Sequence, residues 1–282
     1  MKDFIGEWSL IEKIGSGGQS KVYKAKQGEG QKIVAIKIIQ VKKEYQKKLS
    51  RFEQEMKIHE TLSSSGVKNV IPVLDSGLIE KAEDEVLGYI VMPKAEVTLH
   101  DISRRFVNRI ELSLEVFSGI VNGIKEINNA GVIHRDIKPS NVLFLDQDDL
   151  EPLVSDFGIC LLKETPDSER VTSADETVGA KYFMAPEQER GGAVNIKESA
   201  DIYALGKLLN FMLTGNYISR EYIDEYTFTK DDMKADPRCE IIVEEILKRT
   251  IVEKQEDRIQ NASELCDIIS DIRSRFQTVN GD

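Results

Sequence analysis

The sequence predicts an α+β fold built as two lobes. Short β-rich runs crowd the chain before Pro93, helical periodicities dominate after it, and no internal repeat or low-complexity linker intervenes. In chain order, "WSLIEKI" and "SKVYKAK" flank a glycine cluster, and "KIVAIKII" follows the turn "GEGQ". Its Ile33, Val34, Ala35 and Ile36 form a β-rich run bounded by turn residues, which reads as a strand. From Lys42 to Leu62 the chain becomes charged, with Phe52, Met56 and Leu62 at helical spacing, and "SSSG" at 63–66 ends that helix. Two more strand-like runs, "VIPVLDSGLI" and "LGYIVM", are joined by the acidic turn "EKAEDE".

Beyond Pro93, "LSLEVFSGIVNGIKEINNAG" aligns Leu112, Val116, Ile120, Ile124 and Ile127 along one helical face, with Gly131 as the stop. Short β segments are expected around "NVLFL" and "PLVSDFG". "ADIYALGKLLNFMLTG" carries Ile202, Leu205, Leu208, Leu209, Met212 and Leu213, apolar around so much of the helix that burial on most sides is expected. In "NASELCDIISDIRSRF" the inward positions are Leu265, Ile268, Ile269 and Ile272, and "TVNGD" reads as a loose tail.

The 282 residues suffice for one large domain or two lobes around a sizeable core. A formal charge of −11 argues against a partner held by general attraction to nucleic-acid phosphates. Cys160, Cys239 and Cys266 are sparse and lack metal-ligand spacing, which suits a reducing compartment. No apolar run is long enough to span a membrane and no leader is visible, so a cytoplasmic location is the expectation.

The glycine cluster "IGSGGQSKVYKA" is a phosphate-binding loop by composition. A dinucleotide fingerprint requires glycine where Ser20 stands, and a P-loop requires a different continuation. Both would lead into a helix, whereas here a strand and a lysine follow. The stretch "HRDIKPSN" at 134–141 has the composition for moving a phosphoryl group. Asp136 can accept a hydroxyl proton, Lys138 can neutralise charge on a transferring phosphate, and Asn141 offers a neutral oxygen to a metal. "DFG" at 156–158 adds a hard carboxylate of the kind Mg²⁺ prefers.

Taken together, these motifs resemble the eukaryotic-type serine/threonine protein kinase family over nearly the whole chain. The resemblance implies an N-terminal lobe over 1–92, an antiparallel β-sheet with one helix, then a hinge at 93–95. A mainly helical C-terminal lobe over 96–277 would follow, with 278–282 as the tail. It implies Asp136 as catalytic base, Lys138 as the phosphate-stabilising cation, and Asn141 with Asp156 as metal ligands. Lys37 would grip the phosphates of ATP. Its ion-pair partner would be Glu55, with Glu53 the competing acid. Gly15, Ser16, Gly17 and Gly18 would form the flap over the nucleotide. Ile14, Val22, Ala35 and Leu143 would sandwich adenine, with Met92 at the gatekeeper position and Ala95 as hinge donor. Glu187 of "APE" would pair with Arg258, and Asp201 would brace the catalytic loop. Arg135 would recognise a phosphate on the activation segment, at Thr172, Ser173 or Thr177. Ala180 departs from the family's threonine.

The implied activity is transfer of the γ-phosphoryl group from Mg²⁺-ATP, Mn²⁺ being an alternative, to a protein serine or threonine, with autophosphorylation in trans within a homodimer as a further expectation. A small-molecule kinase and a nucleotide-binding pseudokinase are the alternatives. No nucleic-acid or membrane partner is implied. His134 is expected to pack beneath the catalytic loop, His59 and His100 to be surface or core fillers, and Cys160 a small buried residue. The basic run Lys42–Lys48 is expected to be a solvated helix face.

Overall fold

A computed structural model of the chain describes residues 4–16, 20–28, 30, 32–82, 84–157, 161–162, 182–189, 196–218 and 236–279. Its N-terminal part is one six-stranded antiparallel sheet, in the order β1-β2-β3-β4-β6-β5. The strands are β1 (Phe4–Ile5), β2 (Trp8–Ser16), β3 (Lys21–Gln27), β4 (Ile33–Lys42), β5 (Asp75–Ala82) and β6 (Glu85–Pro93). The short β1 was not evident from the sequence. β4 is hydrogen-bonded on both sides, to β3 and β6, and buries every residue from Val34 to Ile39. This accounts for its unbroken apolar run. The register sets Lys37 opposite Val22 on one side and Ile90 on the other.

Helix α1 (Gln46–Ser64) starts later than the charge pattern suggested. The ladder between β4 and β6 runs on to Lys42 and Glu85, and the Lys43 N–H still donates to the Asp84 carbonyl. Sheet pairing therefore claims the residues that composition had given to the helix. The run "VIPV" is also not a strand; only Val70 forms a bridge, parallel to Val154. Pro72 lacks the N–H that a ladder needs, and β5 begins at Asp75. The helix packs very closely on the sheet at Gly88, where a Cβ would lie 2.5 Å from Cε1 of Phe52.

The C-terminal part contains β7 (Val97–Thr98), α2 (Ile110–Asn129), β8 (Val132–Ile133), β9 (Val142–Phe144), β10 (Leu153–Val154) and β11 (Leu161–Leu162). These are followed by α3 (Pro186–Glu189) and α4 (Ser199–Thr214). Helix α5 (Pro237–Ile242) continues through a π turn (Val243–Leu247) to Thr250, and α6 is Ala262–Val279. Strands β7, β9 and β10 form a small sheet, and β8 pairs with β11.

Every residue of α4 from Ser199 to Leu213 is buried, as its all-round apolar pattern requires, and the helix ends at Gly215 with φ +72°. On α6, Leu265, Ile269 and Ile272 are buried while Ile268 is only half-buried. The helix runs to Val279, so two residues read as tail are helical. The main core gathers α2, α4, α5 and α6 and also takes in Ile58 and Leu62 from α1. No described helix is long and apolar enough to cross a membrane.

Candidate active site

The interface between sheet and helices assembles two clusters of charge. The first centres on Lys37. Its ammonium donates to Oε1 of Glu55 on α1 and to Oδ1 of Asp156, the latter at 2.8 Å. Glu55, not Glu53, is therefore the acid that reaches the lysine. Burial disfavours a charge on Lys37, but Asp156 and Glu55 outweigh it and hold the pKa above the ordinary lysine value. Burial pushes the Glu55 carboxyl upward, opposed by Lys37.

The second cluster lies in the loop between β8 and β9. Lys138 Nζ donates to Asp136 Oδ2 at 2.7 Å, and Asn141 Nδ2 donates to the same oxygen at 2.9 Å and to the Asp136 carbonyl at 2.8 Å. Three side chains are thereby fixed by mutual bonds across a short stretch of sequence. Burial raises the Asp136 pKa; Lys138 lowers it and Asp156 raises it further. The amide nitrogen of Asn141 is committed to Asp136, which leaves its oxygen accepting no hydrogen bond from a described side chain or backbone group.

Asp201 supports this loop from α4. Its Oδ2 accepts from the His134 N–H at 2.9 Å and its Oδ1 from the Arg135 N–H at 2.8 Å, with Asn128 Nδ2 at 3.2 Å. Arg135 sits at φ +70°, a strained conformation for a side chain of its size, and so does Asp156. Such strain persists only where neighbours over-determine the backbone, and the Asp201 carboxylate does so for Arg135. On the far side, Gln188 Nε2 donates to the Arg135 carbonyl at 3.0 Å, tying α3 to the loop. Glu187 meets Arg258 through two parallel bonds of 2.7 and 2.9 Å, with Arg258 buried over the Tyr203 ring.

Ala35 and Met92 are buried in one apolar cluster with Val22 and Leu143 packed against it. Ile14 is exposed on β2, outside that cluster. Ala95 follows β6, with its N–H bonded to no described group. Gly15 and Ser16 end β2; Gly17 and Gly18 lie outside the described residues, as do Cys160, Thr172, Ser173, Thr177 and Ala180. His134 is fully buried beneath the loop, as expected, and His100 is exposed. Gln188 and Asn128 were not assigned roles from the sequence, and His59 is buried, as a core filler would be.

The profile of the protein kinase domain matches residues 8–275. The chain belongs to the protein kinase family. A probable serine/threonine-protein kinase of Clostridium acetobutylicum is 25% identical to it, over 98% of this chain and 41% of that protein. The serine/threonine-protein kinase pkn3 of Myxococcus xanthus is 32% identical over 72% of this chain and 36% of its own length. For PrkC of Bacillus subtilis the values are 31%, 76% and 31%. This kinase domain thus spans less than half the length of the curated relatives it matches. A mutant of the PknI kinase domain from Mycobacterium tuberculosis superposes with a TM-score of 0.66, covering 96% of this chain and 97% of that one. At 17% identity that likeness shows the fold, a curled antiparallel sheet followed by a helical region.

The kinase family implies ATP and a divalent metal, and the donors fit. Asn141 and Asp156 offer the neutral and anionic oxygens that a hard cation takes. No three acidic, histidine or cysteine side chains converge on a metal site among the described residues.

Proposed function

We propose that this kinase domain transfers the γ-phosphoryl group of ATP to a serine or threonine hydroxyl of a protein. The observation that carries this reading is the pairing of Lys37 with both Glu55 and Asp156, beside Asp136 held by Lys138 and Asn141. Lys37 would hold the phosphates in place, with Glu55 fixing its direction. Asn141 and Asp156 would bind the divalent cation, Mg²⁺ or Mn²⁺. Such a cation, held by these two residues, would offset negative charge on the phosphates. Asp136 would orient the acceptor hydroxyl and take its proton. Lys138, on the same carboxylate oxygen, would move with the transferring phosphate and stabilise its charge.

Autophosphorylation of Thr172, Ser173 or Thr177 belongs to the same proposal. It is supported by Arg135 standing directly before the base, where a cation can order a phosphorylated segment. Phosphopeptide mapping of active protein that finds none of the three modified would remove it.

The experiment that tests the reaction is Asp136→Asn, incubated with labelled ATP, divalent cation and a generic protein substrate. The expected loss of turnover is roughly 10²–10⁴-fold, with nucleotide binding little changed. Turnover at the wild-type level would end the proposal. Label appearing in a small molecule and never in protein would redirect it to a different acceptor.

A further inference from the structure

The chain has one tryptophan, and it ties together strands that the sheet order sets far apart. Trp8 opens β2, and its indole Nε1 donates to Oδ2 of Asp75 on β5 at 2.9 Å. In the order β1-β2-β3-β4-β6-β5 those two strands are four steps apart, which is about 19 Å in a flat sheet at the usual strand spacing. The bond therefore exists only because the sheet curls until its two ends approach. Trp8 is 3% exposed, so without Asp75 its N–H would be stranded out of water. Tyr89 of β6 bonds to the same carboxylate, and burial, then the Asp75 charge, hold its phenol above the ordinary value. Gly77 faces Tyr89 across the β5–β6 register and leaves the room: a Cβ there would lie 3.0 Å from the phenol oxygen.

This bond sits behind the nucleotide grip. Strand β4 alternates between two apolar clusters: Val34, Ile36 and Ile38 pack with Trp8, Leu87 and Val91, while Ala35 and Ile39 pack on the other face with Phe52 of α1. Lys37 shares that second face and reaches Glu55 and Asp156. Its two chain neighbours are thus held in the cluster that Trp8 closes. The flap hangs on the same strands, since Gly15 of β2 pairs with Val22, and Val22 pairs with Lys37. Between Trp8 and Gly15 the β2–β3 ladder slips twice, at Leu10/Glu12 and at Lys13/Gly15. Opening of the curl would twist β4 and swing Lys37 away from Asp156. We propose that the Trp8–Asp75 bond clamps the curl of the sheet, and that both are positioning residues for the nucleotide. They hold Lys37 and the flap at the spacing the phosphates need, from the opposite face of the sheet. A pair that served stability alone would leave affinity unchanged wherever the protein is folded. A clamp raises nucleotide affinity, and by linkage the nucleotide tightens the clamp in turn.

That the ligand is a nucleotide rests on the family's use of ATP; the acceptor of the phosphate plays no part. Trp8→Phe keeps an aromatic ring in the cluster and removes the N–H, Asp75→Ala removes the acceptor, and Asp75→Asn keeps an oxygen for the indole. ADP affinity is measured by calorimetry below the melting temperature of every variant, with KM for ATP and kcat from phosphotransfer. Trp8→Phe and Asp75→Ala are expected to weaken ADP binding and raise KM for ATP about fivefold or more, with kcat at saturating ATP within about twofold of wild type. The double variant is expected to lose no more than either single one, and Asp75→Asn to recover most of the affinity. The single indole N–H resonance reads the clamp directly in wild type, and saturation with ADP is expected to slow its exchange with solvent by a similar factor. Wild-type ADP affinity in Trp8→Phe and Asp75→Ala, additive losses in the double variant, or indole exchange unchanged by ADP overturns the proposal. Should Asp75→Ala not fold, Trp8→Phe and the indole exchange decide. Wild type that binds ADP and never transfers phosphate would remove the phosphotransfer reading, while affinity and exchange still decide the clamp. Folded wild type that binds no ADP would overturn the clamp together with the nucleotide site.

Discussion

Asp136 and Asp201 are buried carboxylates raised for the same first reason, burial, yet they face different tasks. Asp201 is nearly inaccessible; burial raises its pKa, and the His134 side chain, together with donors from Arg135, His134 and Asn128, pulls it back down. It can stay charged because the loop's own N–H groups solvate it. Replacing it with alanine strands the His134 and Arg135 N–H groups in the interior and frees the strained Arg135 backbone. Asp201→Ala is expected to lose at least about 2 kcal/mol of stability, read by urea unfolding, and most of its activity. Asp136 must instead be deprotonated to receive a proton. Its pKa is raised, so activity is present above that raised value and fades as pH falls through it. The acid limb of kcat/KM is therefore expected above the 3.8 of an ordinary aspartate. A limb at or below 3.8 would contradict the burial of Asp136.

The contact between α1 and β6 decides whether Glu55 reaches Lys37. Phe52 packs where Gly88 has no side chain, and Glu55 lies less than a turn further along the same helix. Gly88→Ala puts a Cβ into the Phe52 ring, so either the ring changes rotamer or α1 lifts. Overpacking of this kind costs about 1–3 kcal/mol, and lifting would also lengthen the Lys37–Glu55 bond. We expect Gly88→Ala to lower both the melting temperature and nucleotide affinity, and Phe52→Leu in that background to restore part of each. Nucleotide affinity that stays at the wild-type level would show that the close packing does not set the position of α1.

Among the described residues, α1 and the segment that follows it join the N-terminal sheet to the helical region. Ile58 and Leu62 of α1 join the main core, and Val70 bridges to Val154, just ahead of Asp156. In the helical region, Arg258 joins α3, the start of α4 and the turn after α5. Besides Glu187 it donates to the carbonyls of Ser199, Val252 and Glu253. Removing the guanidinium leaves an inward-facing carboxylate and three carbonyls to be satisfied. Arg258→Met is expected to cost about 3–5 kcal/mol, measured by chemical denaturation, with loss of activity through the tie from α3 to the catalytic loop. Near-native stability would show that water replaces the arginine.

The sequence by itself determined the fold class, the central apolar strand, the buried helix α4 and the chemistry of "HRDIKPSN", because these depend on local periodicity or on residues close together in the chain. It could not place the start of α1, since pairing between β4 and β6 overrides local charge there. Nor could it find β1 or exclude "VIPV" as a strand, since a ladder needs a partner and Pro72 cannot donate. The sequence already favoured Glu55 over Glu53, and helix phase on the sheet is what brings it to Lys37; the role of Gln188 comes from a neighbour distant in sequence. Only tertiary packing brings the His59 imidazole of α1 against Phe157. The pattern of apolar spacing specifies which faces are buried, but not which polar group each buried face will meet.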